Sequence, residues 1–316
     1  MTFVKRGRAF RRALAATAFV AAVAATAGTA TAAGNPAGAG KASVKAEAEH
    51  RAHSPRGAVA APRVAAPGQV ETPSFPLMAV DKKTGNLSHY YPDRRGGFEA
   101  AYDVGVSFDF AAAVARVDND KDGYGDGTWI FDKDGLLTYT WSEDMQVYTK
   151  DIGRGWQIYD KVLSPGNLGG APEADLMAVD KAGVMWVYLG YPDGRVSDRV
   201  RIGANWDQYT EIAGQGDLTG DGKPDVVARD KAGTLWLYKG TGDYKAPFEP
   251  RAKIGGGWNM YDRLLPVGDL DADGRSDLVA RTPGGDLYRY SGTGDAGAPY
   301  GTPVKIGWGY DIFNLL

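Results

Sequence analysis

Hydrophobic and polar positions along this chain follow a pattern that returns about every 50 residues. One copy runs from Ile254 to Tyr290. It has a Trp-containing corner (Gly257-Trp258-Asn259-Met260-Tyr261), an apolar run (Leu264-Leu265-Pro266-Val267), a loop of alternating acids, a second apolar run (Leu278-Val279-Ala280), a tight turn and an alternating Leu287-Tyr288-Arg289-Tyr290. Apolar runs of four to six residues bounded by Gly, Asp and Asn are strands, and the short turns between them make hairpins. The second strand recurs as Leu77–Asp81, Asp175–Asp180 and Asp225–Asp230, and the third as Val184–Tyr188 and Thr234–Tyr238; the fourth ends in Ile202-Gly203, Ile254-Gly255 or Ile306-Gly307. Gly240-Thr241-Gly242-Asp243 and Gly292-Thr293-Gly294-Asp295 lack the Lys-Ser/Thr and following helix of a phosphate loop, so they are hairpin turns.

The first acidic position falls at Asp118, Asn167, Asp217 and Asp269, separations of 49, 50 and 52 residues, and a Trp recurs as Trp156, Trp206, Trp258 and Trp308. Four short strands per period of this length predict an all-β propeller, one four-stranded blade per repeat. The ends set the number of blades. The first segment, at Leu77, enters at a second strand, while Tyr310–Leu316 matches a first strand, so the termini complete one blade between them. With first strands near Ala111, Ile158, Tyr209 and Tyr261 this predicts a five-bladed β-propeller, closed by N- and C-terminal strands in one blade, which removes exposed sheet edges.

The acidic loops carry the clearest chemistry. Asp269, Asp271, Asp273 and Asp277, with the carbonyl of Arg275, have the alternating spacing that converges oxygen ligands on a hard cation, and Gly274 permits the sharp turn. The same set recurs as Asp118, Asp120, Asp122, Tyr124 (through its carbonyl) and Asp126. In the loop of Asp217, Thr219, Asp221 and Asp225 a hydroxyl replaces one carboxylate, which predicts a weaker site. Asn167–Asp175 lacks carboxylates at the third and fifth positions and is predicted to hold no ion. Calcium is the natural occupant, in two or three sites. Strand-like runs flank the loops and Asp closes them, which disfavours an EF-hand.

Composition sharpens the picture. Residues 1–32 place five basic residues before an Ala-rich apolar run and an Ala30-Thr31-Ala32 cleavage pattern, which reads as a secretory signal peptide. Arg11-Arg12 leaves the general and twin-arginine routes open, with general secretion favoured. Residues 33–74 are Ala-, Gly- and Pro-rich, a leader too poor in large apolar groups to form a core, and residues 75–316 hold the propeller. His50 and His53 are solvated leader residues. The protein has no Cys, so disulfides do not hold it together. The net charge of −3 conceals an asymmetry: beyond residue 75 there are 26 basic and 36 acidic side chains. That acidic body argues against nucleic acid and, after signal cleavage, against membrane surfaces as partners.

The motif Gly216-Asp217-Leu218-x-Gly220-Asp221-Gly222-x-x-Asp225, with its following aliphatic strand, resembles the FG-GAP or VCBS repeats of secreted and cell-surface propellers. The corner around Trp258 resembles that of the five-bladed tachylectin-type lectins, which have repeats of similar length and sugar sites between adjacent blades, but no such acidic loops. Together the resemblances cover residues 75–316. They imply a secreted calcium-binding propeller and, on the lectin side, recognition of an extracellular glycan or cell-surface glycoconjugate.

The residues themselves allow that reading. Trp156, Tyr159 and Asp160; Asn205, Trp206, Asp207 and Tyr209; Trp258, Asn259, Tyr261 and Asp262; and Trp308 offer flat apolar faces beside hydrogen-bonding groups, as a pyranose requires. Blade-to-blade packing explains the same tryptophans equally well. The alternative function is docking to a secreted or cell-surface protein, for which Arg289 and Tyr290 are candidates, as a targeting subunit of a larger assembly. An enzyme is disfavoured: His89 is the one His after the leader, and no nucleophile elbow or zinc-binding His pair occurs.

Overall fold

The structure, a computed structural model, describes residues 72–316 apart from 120–122, 124 and 144–145. The predicted signal peptide and nearly all of the predicted leader lie outside the described residues. Twenty strands form five antiparallel four-stranded sheets. Blade 2 holds β4 (Ala111–Val117), β5 (Gly127–Asp132), β6 (Leu136–Glu143) and β7 (Gln146–Arg154). Blade 3 holds β8 (Tyr159–Gly166), β9 (Asp175–Asp180), β10 (Met185–Tyr188) and β11 (Val200–Gly203). Blade 4 holds β12 (Tyr209–Ala213), β13 (Val226–Asp230), β14 (Leu235–Tyr238) and β15 (Ala252–Gly255), and blade 5 holds β16 (Arg263–Gly268), β17 (Asp277–Arg281), β18 (Leu287–Tyr290) and β19 (Val304–Gly307). Blade 1 joins both ends of the propeller: β20 (Phe313–Leu315) pairs with β1 (Leu77–Asp81), which continues to β2 (Asn86–Tyr90) and β3 (Tyr102–Ser107). The predicted five-bladed ring with its shared closing blade is therefore the observed fold.

Burial grades across each blade in the way the sequence pattern requires. In blade 4 the second strand, Val226–Asp230, is buried except at its last residue, because both faces meet neighbouring blades; the third alternates and the fourth, Ala252–Gly255, is largely open. This explains why second strands read as continuous apolar runs and third strands as alternating ones. The apolar side chains gather into five clusters, one for each blade junction, rather than one central core. The first strands surround a central cavity of about 170 Å³ lined from every blade, including Ala112, Lys161, Glu211, Arg263 and Leu316.

A repeated clasp locks each blade to the next. The hairpin between a blade's second and third strands ends in a glycine whose carbonyl accepts the N–H of an aromatic residue entering the next blade. The five pairs are Gly85 with Phe108 (2.8 Å), Gly135 with Trp156 (3.1 Å), Gly183 with Trp206 (2.9 Å), Gly233 with Trp258 (2.9 Å) and Gly285 with Tyr310 (3.0 Å). Tyr310 thus takes the tryptophan's place in the last repeat, and Trp308 does not: Trp308 stands two residues earlier, where blade 4's copy has Gly256, and is 42% exposed. The last first strand is accordingly Phe313–Leu315, three residues later than Tyr310 would place it. Buried arginines reinforce the closure. Arg281 donates from NH1 to the carbonyls of Tyr310 (3.0 Å) and Phe313 (2.7 Å), and Arg229 does the same to Trp258 (3.1 Å) and Tyr261.

At the start, Thr72 to Ser74 are already docked, although composition placed them in the leader. Thr72 Oγ1 donates to the Gly274 carbonyl (2.8 Å), and the Pro73 carbonyl accepts from Asp269 N (3.0 Å).

Two outcomes follow. Gly183 has φ +75° and a Cβ there would lie 2.5 Å from Asp207 Oδ1, so Gly183→Ala should cost roughly 1–3 kcal/mol. Gly203→Ala, at a site with open space around it, should melt with the wild type; equal melting of both variants would refute the clasp. In the second, His89 is fully buried in blade 1, and burial, with the Arg116 charge adding to it, lowers its pKa from 6.5 to about 3. The unfolded chain takes up a proton below pH 6.5 that the folded one refuses until about pH 3, so His89 costs stability as the pH falls, by up to ~1.4 kcal/mol per pH unit. In denaturant melts, the gap between wild type and His89→Gln should change with that slope, and parallel pH profiles would show the assignment wrong.

Candidate functional site

The loop between β16 and β17 is anchored by Leu270, which is buried in the cluster between blades 5 and 1. With that plug inside, the flanking acids turn toward one another. Oxygens of Asp269, Asp271 and Asp273 lie within 4.8 Å of one another, the one acidic cluster of this kind among the described residues. Asp269 is buried and accepts backbone N–H groups from Asp273 (3.1 Å) and Gly274 (2.7 Å). Asp273 accepts from the Arg275 N–H (3.0 Å), and the Arg275 guanidinium lies 3.5 Å from its second oxygen. Asp271 takes the Ser291 hydroxyl on Oδ2 (3.0 Å), while its Oδ1 is buried without a hydrogen-bond partner. Burial and then the neighbouring charges of Asp273 and Asp271 push Asp269 up to about 6, two backbone N–H groups opposing them. Burial and Asp271 likewise raise Asp273. An all-oxygen set of three carboxylates, one of them holding an orphaned oxygen, fits a hard divalent cation.

Asp277, expected among the ligands, has a different first task. Its two oxygens accept the N–H groups of Leu270 and Gly292, both at 2.9 Å. Asp225 makes the same pair with Leu218 (3.0 Å) and Gly240 (2.9 Å), and Asp175 makes it with Leu168 and Gly190, both at 2.9 Å. Asp126 accepts from Asn119 N at 2.5 Å. Because Asp175 does this in the loop predicted to hold no ion, the closing Asp is a tie between loop and hairpin in blades 3, 4 and 5. Burial accordingly raises Asp175 to about 7, against the pull of those backbone N–H groups.

The blade 4 loop is wired to itself. Asp217 accepts N–H groups from Thr219 (3.0 Å), Gly220 (2.7 Å) and Gly222 (2.6 Å), and Lys239 neutralises Asp221 at 3.1 Å. No cluster of three acidic groups forms here among the described residues, and the Thr219 hydroxyl is buried without a hydrogen-bond partner. In blade 2, Asp118 accepts the Gly123 N–H (3.1 Å), whereas Asp120, Asp122 and Tyr124 lie outside the described residues.

The corner residues proposed for sugar contact are mostly occupied. Trp206 and Trp258 are 7% and 8% exposed, and each stacks at 4.7 Å on the Tyr of its own third strand, Tyr238 and Tyr290. Trp156, half-buried, does the same with Tyr188. Tyr209 and Tyr261 are buried, sharing hydroxyl hydrogen bonds with Tyr238 (2.5 Å) and Tyr290 (2.8 Å), and Tyr159 pairs with Tyr188. Their polar neighbours serve the fold too. Asp207 and Asn259 lie over the hairpin glycines 183 and 233, and Asn259 Nδ2 donates to Lys231 O (3.2 Å). Asn205 takes the left-handed conformation (φ 69°) that starts its turn. Asp262 receives the Arg281 guanidinium at 3.0 and 2.8 Å, and Asp160 pairs with Lys161. A buried indole has no face for a sugar, so Trp206 and Trp258, with Tyr209 and Tyr261, are corrected to a packing role; Trp156 and Tyr159 are half-buried, and Trp308 alone among the proposed rings is exposed.

Sequence reasoning missed Ser291 and Phe108, and it took Arg289 and Tyr290 for surface groups. Tyr290 is half-buried, packed against the core between blades 4 and 5, and Arg289 turns inward to Asp271 at 3.3 Å. The readable signal was positional: Arg289 stands where blades 3 and 4 have Val187 and Leu237.

Comparison with known proteins falls on the same region. The FG-GAP-like repeat model matches residues 217–280, and the FG-GAP repeat model matches residues 264–301. No curated protein matches in sequence. Among solved structures, the chain is similar to AofleA from Arthrobotrys oligospora, with 12% identity, 77% of this chain and 75% of that one covered, and a TM-score of 0.43. It is also similar to BP39L lectin from Burkholderia pseudomallei (14% identity, 72% and 68% covered, TM-score 0.41) and to the calcium-binding protein regucalcin from Agrobacterium tumefaciens (14%, 78% of each, TM-score 0.37). The stretch carrying the acidic cluster, residues 217–301, thus matches FG-GAP repeats, as its motif led us to expect.

Proposed function

We propose that this chain is a secreted, calcium-binding β-propeller that recognises an extracellular ligand without transforming it. The observation that carries the calcium reading is the Asp269, Asp271 and Asp273 cluster with its orphaned Asp271 oxygen. These three residues hold the ion, and its charge offsets repulsion that the loop's backbone N–H groups relieve only in part. Secretion is supported by the basic, apolar and Ala-x-Ala succession of residues 1–32. The acidic residues of the loops are accounted for by ion binding and loop closure, which leaves the enzyme reading without a catalytic set.

Carbohydrate is the ligand class we favour, narrowed to the outer edge of the junction between blades 5 and 1, where Trp308 presents an exposed ring. The buried corner aromatics, Trp206, Tyr209, Trp258 and Tyr261, do not support it. Docking to a secreted or cell-surface protein is the competing reading, favoured by the exposed apolar side chains of Met260 and Val304.

Calcium at one hundred times its dissociation constant should stabilise the fold by about 2.7 kcal/mol, seen as a rise of several degrees in melting temperature over chelator. Asp271→Asn should remove most of that rise and Asn167→Ala should leave it; identical melting of the wild type in calcium and in chelator would end the calcium reading. For the ligand, Trp308→Ala should abolish binding on a glycan array with melting unchanged, whereas Trp258→Ala should destabilise the fold by about 3–5 kcal/mol. If the unmutated protein binds no glycan in calcium, protein docking replaces carbohydrate.

A further inference from the structure

We infer that Arg289 is a built-in counter-cation of the blade 5 loop and competes with the metal ion for Asp271. The inference rests on the calcium reading above and assigns to one residue the control of that site's affinity.

In blades 3 and 4 the third strand supplies an aliphatic side chain to the blade core at this position, Val187 and Leu237, both buried; blades 1 and 2 place His89 and Tyr139 there. In blade 5, the one blade whose acids converge among the described residues, the same position carries a guanidinium. Arg289 NH1 lies 3.3 Å from Asp271 Oδ2, yet Nε and NH1 are buried without a hydrogen-bond partner. The group also lies flat against the backbone of the blade 1 hairpin, where a Cβ on Gly96 would fall 1.2 Å from NH1. Gly96 in turn donates its N–H to Leu270 O at 3.1 Å, so that hairpin holds both the loop and the arginine beneath it.

Charge and hydrogen bonding are mismatched in this pair. A buried guanidinium needs an anion close by, and Asp271 is near enough to supply the charge without completing the hydrogen bonds. The Arg289 charge also reaches Asp273 and Asp277, opposing the rise that burial and Asp271 impose on both. Asp271 keeps one oxygen unpartnered in the same arrangement. A divalent cation entering among Asp269, Asp271 and Asp273 meets this fixed positive charge, and two cations share one carboxylate only at a cost. The ion must therefore displace Arg289 or bind against its repulsion. Blade 4 shows the same device in more exposed form, with Lys239 placed 3.1 Å from Asp221. The result is a site closed by its own cation at low calcium and opened as calcium rises, with a resting fold that does not carry three bare carboxylates.

The test is a calcium titration of the full chain by calorimetry, with melting curves in chelator. It compares wild type, Arg289→Leu, which copies blade 4, and Arg289→Gln, which keeps the length of the side chain without its charge. Both variants should bind calcium at least tenfold more tightly than the wild type and melt at lower temperature in chelator. Arg275→Leu, which removes a more exposed guanidinium 3.5 Å from Asp273, should change the affinity by less. Binding by the variants alone, with none by the wild type, would also support the competition. Affinity in Arg289→Gln equal to or weaker than wild type would overturn it while leaving the calcium site standing; no binding by any of the proteins would remove the calcium site and the competition together.

Discussion

Five hydrogen bonds from an aromatic residue's N–H to a hairpin glycine's carbonyl set the geometry on which the propeller depends. A ring of blades has no single core to define it, only junctions, and each junction must be held at the same spacing or the ring does not close. The clasp does this by joining a hairpin tip in one blade to the entry turn of the next, and the aromatic side chain at that turn then fills the junction. Phe108, Trp156, Trp206, Trp258 and Tyr310 differ in size but not in task. At the point where the chain's two ends must meet, a buried arginine, Arg281, adds side-chain bonds to the carbonyls of Tyr310 and Phe313.

Most of this architecture was legible because its physics is periodic. Repeating second strands, hairpin glycines and acidic loops returned at nearly constant spacing, so blade number and the shared closing blade followed from counting. Reading failed where a residue's role depended on a neighbouring copy. Trp308 satisfied the spacing rule, while Tyr310, two residues on, satisfied the left-handed Gly309 and the clasp. Asp207 and Asn259 looked like groups kept for hydroxyl recognition because the glycines they cover belong to another blade. Phe108 does not stand out as a corner residue because phenylalanine fills that junction where three other copies use tryptophan.

The acidic loops show how one spacing encodes two functions. The closing Asp ties its loop to a hairpin whether or not the other acids are there, as Asp175 does. The alternate acids before it are where the copies diverge. Blade 3 lacks them, blade 4 has two acids with a lysine on Asp221, and blade 5 has three in one place. The first acid is wired alike in the last two, Asp217 and Asp269 each accepting N–H groups of their own loop, so the difference lies in Thr219 against Asp271 and in the cation placed beside each loop.

Docking of Thr72 and Pro73 on the blade 5 loop has a consequence for orientation. Residue 72 enters the propeller at the rim that carries the acidic loops, bonded to Gly274 and Asp269 of the acidic-cluster loop itself. Whatever precedes it in the chain starts from that rim, beside the acidic cluster. The opposite rim is made of the hairpin tips, with Lys82, Lys133, Lys181 and Lys231, and lies across the propeller from that entry.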